Sequence, residues 1–322
     1  MDEFEVLMVS PLPPLQVADT VGPCRFHKLW LAENPERMIR DVKDRVRGVI
    51  SAALGGIKLD GDFMGQFPKL EIVAHMGVGY DIIDAKWAAA HGIVVTHTPD
   101  VLTEEVADLA LGLLLATVRQ IPQADRFLRA GKWRDGMFPL TGSLRGRHLG
   151  ILGLGRIGKA IAKRAEAFGM HVAYHGRSRQ EDVPYTFYPA LRDLAAACSV
   201  LVVVAPGGAA TRNIVNAEIL EALGPEGILI NVARGSVVDE AALVAALRDK
   251  KIMSAGLDVF ANEPHVPQEL IDMEHVVLLP HVGSASREVR LAMGQLTLDN
   301  ILAWAAGEPA LTAVPETNWQ RA

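Results

Sequence analysis

The sequence predicts an α/β protein of two domains, each built around a doubly wound parallel sheet, with a cleft between the domains. Three observations lead to this prediction. At 322 residues, with 50% hydrophobic and 22% charged residues, the chain is long and apolar enough for two buried cores. Short apolar runs alternate with helical segments along most of the chain. A glycine-rich turn near residue 153 joins one of these runs to a helix.

The first 99 residues predict a small α/β unit. Its apolar strands are expected near residues 4–9, 48–52, 71–75 and 92–96. The third strand runs into a G-x-G turn, where Val78 and Gly79 can present backbone NH groups to a substrate carboxylate; a tight structural turn is the alternative. Residues 98–100, Thr-Pro-Asp, should end the fourth strand because proline cannot donate to a ladder. We expect the chain to cross to its second domain there.

A helix is predicted to begin near Thr103, with Asp100 or Thr103 as its cap. Pro122 should end or kink it, and a shorter helix should follow from about 123 to 130. Residues 107–118 are almost wholly apolar, which is too much for a helix with one wet face. Two interpretations stay open: this helix packs against another subunit, or it lies buried between two domains of one chain.

Residues 147–179 predict a strand, a glycine turn, a helix and a second strand. The strand is expected over 148–152, the helix over 157–168 and the next strand over 171–174, a βαβ unit of roughly 30 residues. A G-x-G-x-x-G turn in this context predicts a dinucleotide site, with the pyrophosphate at the helix N-terminus. Its glycines are Gly153, Gly155 and Gly158.

The residues after the second strand of this unit favour NADP(H) over NAD(H). An NAD-selective site usually places an acid there, whereas this chain has none between Tyr174 and Glu181. Arg177, Ser178 and Arg179 instead supply positive charge and donors suited to a 2′-phosphate. The alternative is that the two arginines are ordinary surface charges.

The α/β alternation continues to the end of the chain. Strands are expected over 200–204, 227–231, 254–258 and 276–279, and helices over 217–223 and 239–248. A final helix from 286 to about 306 can return to the first domain. We therefore expect a discontinuous substrate-binding domain of residues 1–99 and 286–322, and a dinucleotide-binding, Rossmann-like domain of residues 100–285.

Three residues follow strands of the second half and suit carbonyl reduction. Arg234 can pair a substrate carboxylate and polarise the neighbouring carbonyl, and His281 can supply a proton. Glu263 can fix the imidazole tautomer and favour its protonated form. Because the carboxyl ends of parallel strands meet at one edge, all three side chains could face one crevice. Taken singly, each could also be a surface or turn residue.

Composition excludes several other classes of function. The net charge of −6 is modest and the basic residues are scattered, so we expect no nucleic-acid or membrane partner. Cys24 and Cys198 lie in no metal-spaced cluster, so neither a metal site nor a disulfide framework is expected. The acidic N-terminus lacks the features of a signal peptide, and the longest apolar run is too short for a membrane span. We expect a cytoplasmic location.

Three stretches resemble signature sequences of the D-isomer-specific 2-hydroxyacid dehydrogenases. They are NVARGSVVDE at 231–240, GLDVFANEP at 256–264 and LPHVGS at 279–284. The similarity runs from about residue 71 to 315. Within the family, TPDVLT at 98–103 and the arginine at 177 look most like the glyoxylate/hydroxypyruvate reductases.

The resemblance implies roles for individual residues. Arg234 would bind substrate and polarise its carbonyl, His281 would be the proton donor, and Glu263 would be its partner. Val78 and Gly79 would hold the substrate carboxylate. The resemblance places the cofactor against Thr103, Gly153, Gly155, Arg156, Ile157, Gly158, Arg177, Ser178, Arg179, Ala205, Pro206, Thr211, Val232, Ala233, Asp258 and Gly283.

The predicted activity is therefore NADPH-dependent reduction of glyoxylate or hydroxypyruvate to the D-2-hydroxy acid by a homodimer. The tryptophan that some hydroxypyruvate reductases present from the partner subunit has no clear match in GMFPLT at 136–141, which leaves a larger 2-keto acid possible. Two alternatives remain: an NAD-linked dehydrogenase of a bulkier D-2-hydroxy acid, and a non-catalytic, dinucleotide-sensing interaction protein similar to the corepressors of this fold.

Overall fold

The computed structural model describes residues 3–12, 16–52 and 57–317. Its contacts divide the chain into two compact units, Met1–Leu102 with Ser286–Ala322, and Thr103–Ala285. The strands are β1 Phe4–Met8, β2 Thr20–Val21, β3 Cys24–Lys28, β4 Val46–Ala52, β5 Ile72–Met76, β6 Val94–Thr96, β7 His148–Leu152, β8 His171–His175, β9 Thr186–Phe187, β10 Val200–Val203, β11 Ile228–Asn231, β12 Ser254–Leu257 and β13 Val277–Leu278. The helices are α1 Pro35–Val42, α2 Gly61–Met64, α3 Ala85–Ala90, α4 Thr103–Val118, α5 Ile121–Arg129, α6 Arg156–Ala167, α7 Leu191–Ala197, α8 Ala217–Leu223, α9 Glu240–Arg248, α10 Gln268–Asp272 and α11 Arg287–Ala305.

The first unit is built on a sheet of order β2-β3-β1-β4-β5-β6. Only β2 runs antiparallel, against β3; the other pairs are parallel. The β2–β3 hairpin was not predicted from the sequence, because β3 buries only alternate residues such as Cys24 and Phe26 and exposes Arg25 between them. A strand of this kind lies at the border of a sheet and lacks the continuous apolar run of a buried parallel strand.

Helix α11 packs against β5 in the first unit. Its Ile301 lies beside Gly48 of β4, where a Cβ would come within 3.3 Å of the isoleucine Cδ1. The buried Asn300 accepts hydrogen bonds from the NH groups of Leu311 and Thr312, at 3.0 and 3.1 Å, and so anchors the segment that follows the helix. These contacts fix helix α11 within the first unit's core.

The second unit is built on a wholly parallel sheet of order β13-β12-β11-β10-β7-β8-β9. The chain enters at β7, extends to β8 and β9, and then returns to the other side of β7 as β10. The strand order therefore reverses between β7 and β10, and a doubly wound sheet binds its ligands at such a switch point. The predicted α/β fold class, with two such sheets, is confirmed. The short edge strand β9 was not predicted.

Helix α4 is buried within its own unit, where it packs on α6 and on strands β11 to β13. Its exposed positions Glu104, Asp108 and Gly112 recur every four residues and form one narrow stripe. The Arg164 side chain binds Glu104 and Asp108 at 2.7 and 2.6 Å. Packing inside this unit buries most of the apolar run at 107–118.

The end of α4 also differs from the sequence prediction. The helix ends at Val118, and Gln120 has a left-handed φ of 50°. Pro122 then lies in the first turn of α5, where a missing backbone NH costs nothing. No described helix is long and apolar enough to cross a membrane.

Candidate functional site

The glycine turn after β7 has the geometry that close backbone approach requires. Gly153 has a φ of +100°, and a Cβ there would lie 2.8 Å from the Ala205 backbone. A Cβ on Gly158 would overlap the Gly153 carbonyl oxygen, so the start of α6 can pack on this turn only with glycine at 158. Gly155, the N-cap of α6, has open space around its Cβ direction. The positive N-terminal end of the twelve-residue helix α6 therefore carries no side chain at position 155, as the close approach of a pyrophosphate requires.

The other residues predicted to contact the cofactor lie at the carboxyl ends of strands or at helix starts. Thr211 donates from its hydroxyl to the Pro206 carbonyl at 2.6 Å, which closes the loop after β10. Arg156 and Ile157 form the first turn of α6, Ala205 and Pro206 follow β10, Val232 and Ala233 follow β11, and Thr103 begins α4. The sheet therefore brings most of this set to one edge.

The loop predicted to bind the 2′-phosphate is tied to the glycine turn. Arg177, Ser178 and Arg179 are exposed, and Arg179 lies 3.5 Å from the Glu181 carboxylate. Gln180 donates from its side chain to the Leu154 carbonyl at 2.8 Å. Its backbone NH also donates to the buried Tyr174 hydroxyl at 2.6 Å, which fixes the loop to strand β8.

His281 and Glu263 form the hydrogen-bonded pair that the sequence predicted. The imidazole Nδ1 lies 2.7 Å from Glu263 Oε2, and the Phe260 NH donates to Glu263 Oε1 at 3.0 Å. Burial opposes ionisation of Glu263, but these hydrogen bonds and the positive charge of Arg234 outweigh it and hold the Glu263 pKa below its ordinary value. With Nδ1 engaged by a carboxylate, Nε2 is the imidazole atom left to act on a substrate.

His281 has a left-handed backbone, with a φ of 53°. Its NH donates to the Asp258 carbonyl at 2.9 Å, and the Asp258 side chain accepts from the NH groups of Val282 and Gly283 at 2.7 and 2.8 Å. Burial raises the pKa of Asp258, although these two NH donors oppose the shift. Asp258 therefore shapes the turn that carries His281, which the sequence did not reveal. The contact of Asp258 with the cofactor, which the resemblance implies, stays a prediction.

Arg234 follows β11 on a turn held by Asn231. The Asn231 amide donates to the Arg234 carbonyl at 3.1 Å, and its oxygen accepts from the Ala233 NH at 3.1 Å. The next residue, Gly235, touches the Phe260 backbone so closely that a Cβ would overlap the Phe260 carbonyl. The turn of Arg234 is thereby pressed against the loop that leads to Glu263.

Val78 and Gly79 lie in the first unit, directly after β5. The Val78 carbonyl accepts from His97 Nδ1 at 2.9 Å, and the Gly79 carbonyl accepts from His75 Nε2 at 3.1 Å. Sequence reasoning missed both histidines, together with Ser51, which hydrogen bonds to His75 at 2.9 Å. The available signal was position: His75 is near the end of one predicted strand and His97 directly follows another.

The cysteines and possible metal ligands offer no further chemistry in the described residues. Cys24 and Cys198 are buried and free of disulfides, and burial raises their pKa values to about 11 and about 12, so both thiols stay protonated at neutral pH. Within 3–12, 16–52 and 57–317, no three His, Cys, Asp or Glu side chains lie close enough together to hold a metal ion.

Comparison with known proteins places the chain among oxidoreductases. The sequence profile described as D-isomer specific 2-hydroxyacid dehydrogenase, NAD binding domain, matches residues 111–283. Glyoxylate/hydroxypyruvate reductase A of Arabidopsis thaliana is 43% identical over 98% of this chain and its own full length. Hydroxyphenylpyruvate reductase of Plectranthus scutellarioides is 41% identical with the same coverage. The structure of a Sinorhizobium meliloti NADPH-dependent glyoxylate/hydroxypyruvate reductase, in complex with NADP and malonate, has a TM-score of 0.87, with 46% identity over 99% of both chains.

Proposed function

The chain belongs to the D-isomer-specific 2-hydroxyacid dehydrogenase family, and from this premise we propose that it reduces glyoxylate or hydroxypyruvate to the D-2-hydroxy acid with NADPH. The observation that carries the proposal is the His281–Glu263 pair, 2.7 Å apart beside the turn of Arg234. The pair supplies a proton donor, and Arg234 supplies a cation, at the edge where a doubly wound sheet binds ligands. The names of the Arabidopsis and Sinorhizobium relatives support the same substrates.

In this proposal NADPH, when bound, supplies the hydride. Arg234 pairs the substrate carboxylate through its planar fork and polarises the adjacent keto group. His281 Nε2 donates a proton to the keto oxygen, and Glu263 stabilises the positive imidazole before that transfer. Because the Glu263 pKa is lowered, the carboxylate stays ionised at neutral pH and can accept a hydrogen bond from His281 Nδ1.

Val78 and Gly79 are proposed to donate their backbone NH groups to the substrate carboxylate. The cofactor is proposed to lie along the residues at the carboxyl edge of the second sheet, with its pyrophosphate at Gly155 and the first turn of α6. Arg177, Ser178 and Arg179 would bind the 2′-phosphate, and their exposure beside the glycine turn supports this assignment.

We further propose a cytoplasmic homodimer. Apolar side chains that follow α4 are exposed in a single chain, among them Trp133, Met137 and Leu140, of which Leu140 is 99% exposed. Exposed apolar side chains grouped on one segment are typical of a subunit contact. The two buried free thiols fit a reducing compartment.

A second substrate class is favoured by one stretch of sequence. Residues 136–141, GMFPLT, lack the tryptophan that some hydroxypyruvate reductases present, and the Plectranthus relative is named for a bulkier, aromatic keto acid. A 2-keto acid larger than hydroxypyruvate is therefore the second candidate.

Initial rates decide between these candidates. Glyoxylate, hydroxypyruvate and phenylpyruvate are each reduced with NADPH and with NADH in parallel, for the wild type and for a variant in which Arg177 and Arg179 are both alanine. We expect fast turnover of the small acids with NADPH, and a variant that loses NADPH preference while its rate with NADH is unchanged. Better turnover with NADH by the wild type would contradict the 2′-phosphate assignment, and NADPH binding without any turnover would favour a dinucleotide sensor.

A further inference from the structure

Three consecutive carbonyl groups after β5 are bound to donors of the first unit. The Gly77 carbonyl accepts from the Thr98 backbone NH at 2.9 Å. The Val78 carbonyl accepts from His97 Nδ1 at 2.9 Å, and the Gly79 carbonyl accepts from His75 Nε2 at 3.1 Å. We refer to residues 77–79 as the carboxylate loop. Each of its carbonyls is therefore held in a fixed direction by a different donor.

The direction of a carbonyl also sets the direction of the next NH group. In a trans peptide the C=O and N–H bonds point to opposite sides, and the described residues contain one cis peptide, which lies elsewhere at residues 263–264. Each bound carbonyl therefore turns the following NH group, that of Val78, Gly79 or Tyr80, away from the donor that holds the carbonyl. Successive NH groups on one side of a loop form a concave site for an anion.

His75 is fixed by its surroundings in one tautomer. A carbonyl oxygen can only accept, so Nε2 carries the proton that binds Gly79, and in the neutral ring Nδ1 accepts from the Ser51 hydroxyl at 2.9 Å. The ring is 1% exposed and lies over Gly77, where a Cβ would come within 2.7 Å of Nε2. Glycine at 77 is thus what lets the histidine reach across the loop.

His97 is held from both sides of its backbone. Its NH donates to the Thr312 carbonyl at 3.2 Å, and the Thr312 hydroxyl donates to its carbonyl at 2.6 Å. Its ring meets the ring of Tyr80 edge-on, with centroids 5.5 Å apart. Because the backbone and the ring are both fixed, Nδ1 is a positioned donor rather than a mobile surface group.

From this geometry we propose that His75 and His97 are positioning residues that hold the carboxylate loop with its NH groups turned toward the substrate carboxylate. The proposal rests on the proposed function, in which Val78 and Gly79 bind that carboxylate. Neither histidine touches the substrate. Their effect is on the affinity for a carboxylate, and the chemical step at His281 is left unchanged.

The test pairs a variant that removes each donor with one that replaces it. His97→Leu removes the donor, whereas His97→Asn keeps an amide nitrogen at the position of Nδ1. His75→Leu removes the second donor, and the double variant Ser51→Ala with His75→Gln keeps a nitrogen at the position of Nε2 without leaving a serine hydroxyl unpartnered. The matched control is His91→Leu, because His91 Nδ1 also donates to a carbonyl, that of Trp87 at 2.8 Å, but on the surface of the same unit.

Two quantities are measured for each folded protein: KM and kcat for glyoxylate with NADPH, and the dissociation constant of malonate from the NADP-bound protein by calorimetry. We expect each leucine variant at 75 and 97 to raise KM and to weaken malonate binding about tenfold, the effect of losing one fixed hydrogen bond, with kcat and the KM for NADPH unchanged. His97→Asn should restore most of the affinity, and His91→Leu should match the wild type.

Unchanged malonate affinity in both leucine variants would overturn the proposal, even in an active enzyme. Failure of the proposed function has a different signature, because a wild-type protein that reduces no 2-keto acid can still be assayed for malonate binding. If His75→Leu does not fold, the comparison of His97→Leu with His97→Asn decides alone. Equal loss in those two variants would show that the ring shape matters and not the donor, and would also overturn the proposal.

Discussion

Each unit of this protein contains a hydrogen-bonded histidine, and the two histidines have different partners. In the second unit His281 Nδ1 lies 2.7 Å from the Glu263 carboxylate, which leaves Nε2 to act on a substrate. In the first unit His75 lies between the Ser51 hydroxyl and a backbone carbonyl, partners that a neutral ring satisfies. The comparison teaches that the group an imidazole faces, more than the imidazole itself, decides whether it suits proton donation or serves as a fixed hydrogen-bond donor.

The same substitution should therefore have opposite consequences at two positions. His281→Asn keeps a nitrogen at the position of Nδ1 for Glu263 and tolerates the left-handed backbone, but it removes Nε2. We expect kcat for glyoxylate to fall by about 10²- to 10⁴-fold, the usual contribution of a general acid. His97→Asn should leave kcat unchanged. Steady-state rates, with NADPH affinity measured by fluorescence as the control, check this contrast; equal kcat values in the two variants would remove His281 from the mechanism.

The second-largest effect should come from the cation beside the pair. Arg234→Lys keeps the charge but loses the planar fork, so we expect both a higher KM and a lower kcat, with kcat/KM reduced about 10²-fold. The exposed Arg192, 3.2 Å from Glu218, is the matched control for the same substitution. If Arg234→Lys raises KM and leaves kcat unchanged, Arg234 acts only in substrate binding, and another group polarises the carbonyl.

In the first unit the effect should fall on binding. Gly77→Ala places a Cβ 2.7 Å from His75 Nε2, which forces the ring or the loop to shift. We expect KM for glyoxylate to rise about tenfold with kcat changed less than twofold. Gly112→Ala is the control, because its Cβ meets open space on the exposed stripe of α4. A large loss of kcat in Gly77→Ala would contradict the proposal that the first unit contributes to substrate binding and the second unit to the chemical step.

The sequence indicates candidate side chains more directly than the contacts that hold the backbone. Arg234, Glu263 and His281 became candidates because each follows a strand and carries a charge or a titratable ring, and the glycine turn has a recognisable spacing. The hydrogen bonds from His75 and His97 to the carboxylate loop could not be found in this way. They depend on which strands lie next to each other in the sheet. Strand order joins β5 to both β4 and β6, which brings Ser51 to His75, 24 residues away, and His97 to Val78, 19 residues away.

Other misses have local causes. The hairpin β2–β3 and the strand β9 are short and partly exposed, so their apolar pattern is weak. The packing of α4 on α6 and on the sheet of its own unit was also not predicted, because an apolar run does not show which element covers it. The role of Asp258 in shaping the His281 turn depends on residues 24 and 25 positions later.

The smallest expected effect concerns the charge on Glu263 and the stability of the fold. Because the pKa of Glu263 in the folded chain is below its ordinary value of 4.5, the ionised carboxylate stabilises the fold above about pH 4.5, and this contribution is lost as the pH falls through the folded-state pKa. Glu263→Gln keeps an acceptor for the Phe260 NH but removes the charge. We expect the variant to be less stable than the wild type by about 1 kcal/mol at pH 7, and the two proteins to converge toward pH 3.

Urea unfolding at pH 7, 5, 4 and 3 measures this difference, with the exposed Glu181→Gln as the control for loss of one surface charge. A difference that grows as the pH falls would mean that the carboxylate is destabilising in the folded chain, against the sign argued from its partners. Convergence at low pH, together with a lower kcat in the variant at pH 7, would tie the proton donor's activity to the same charge that stabilises its loop.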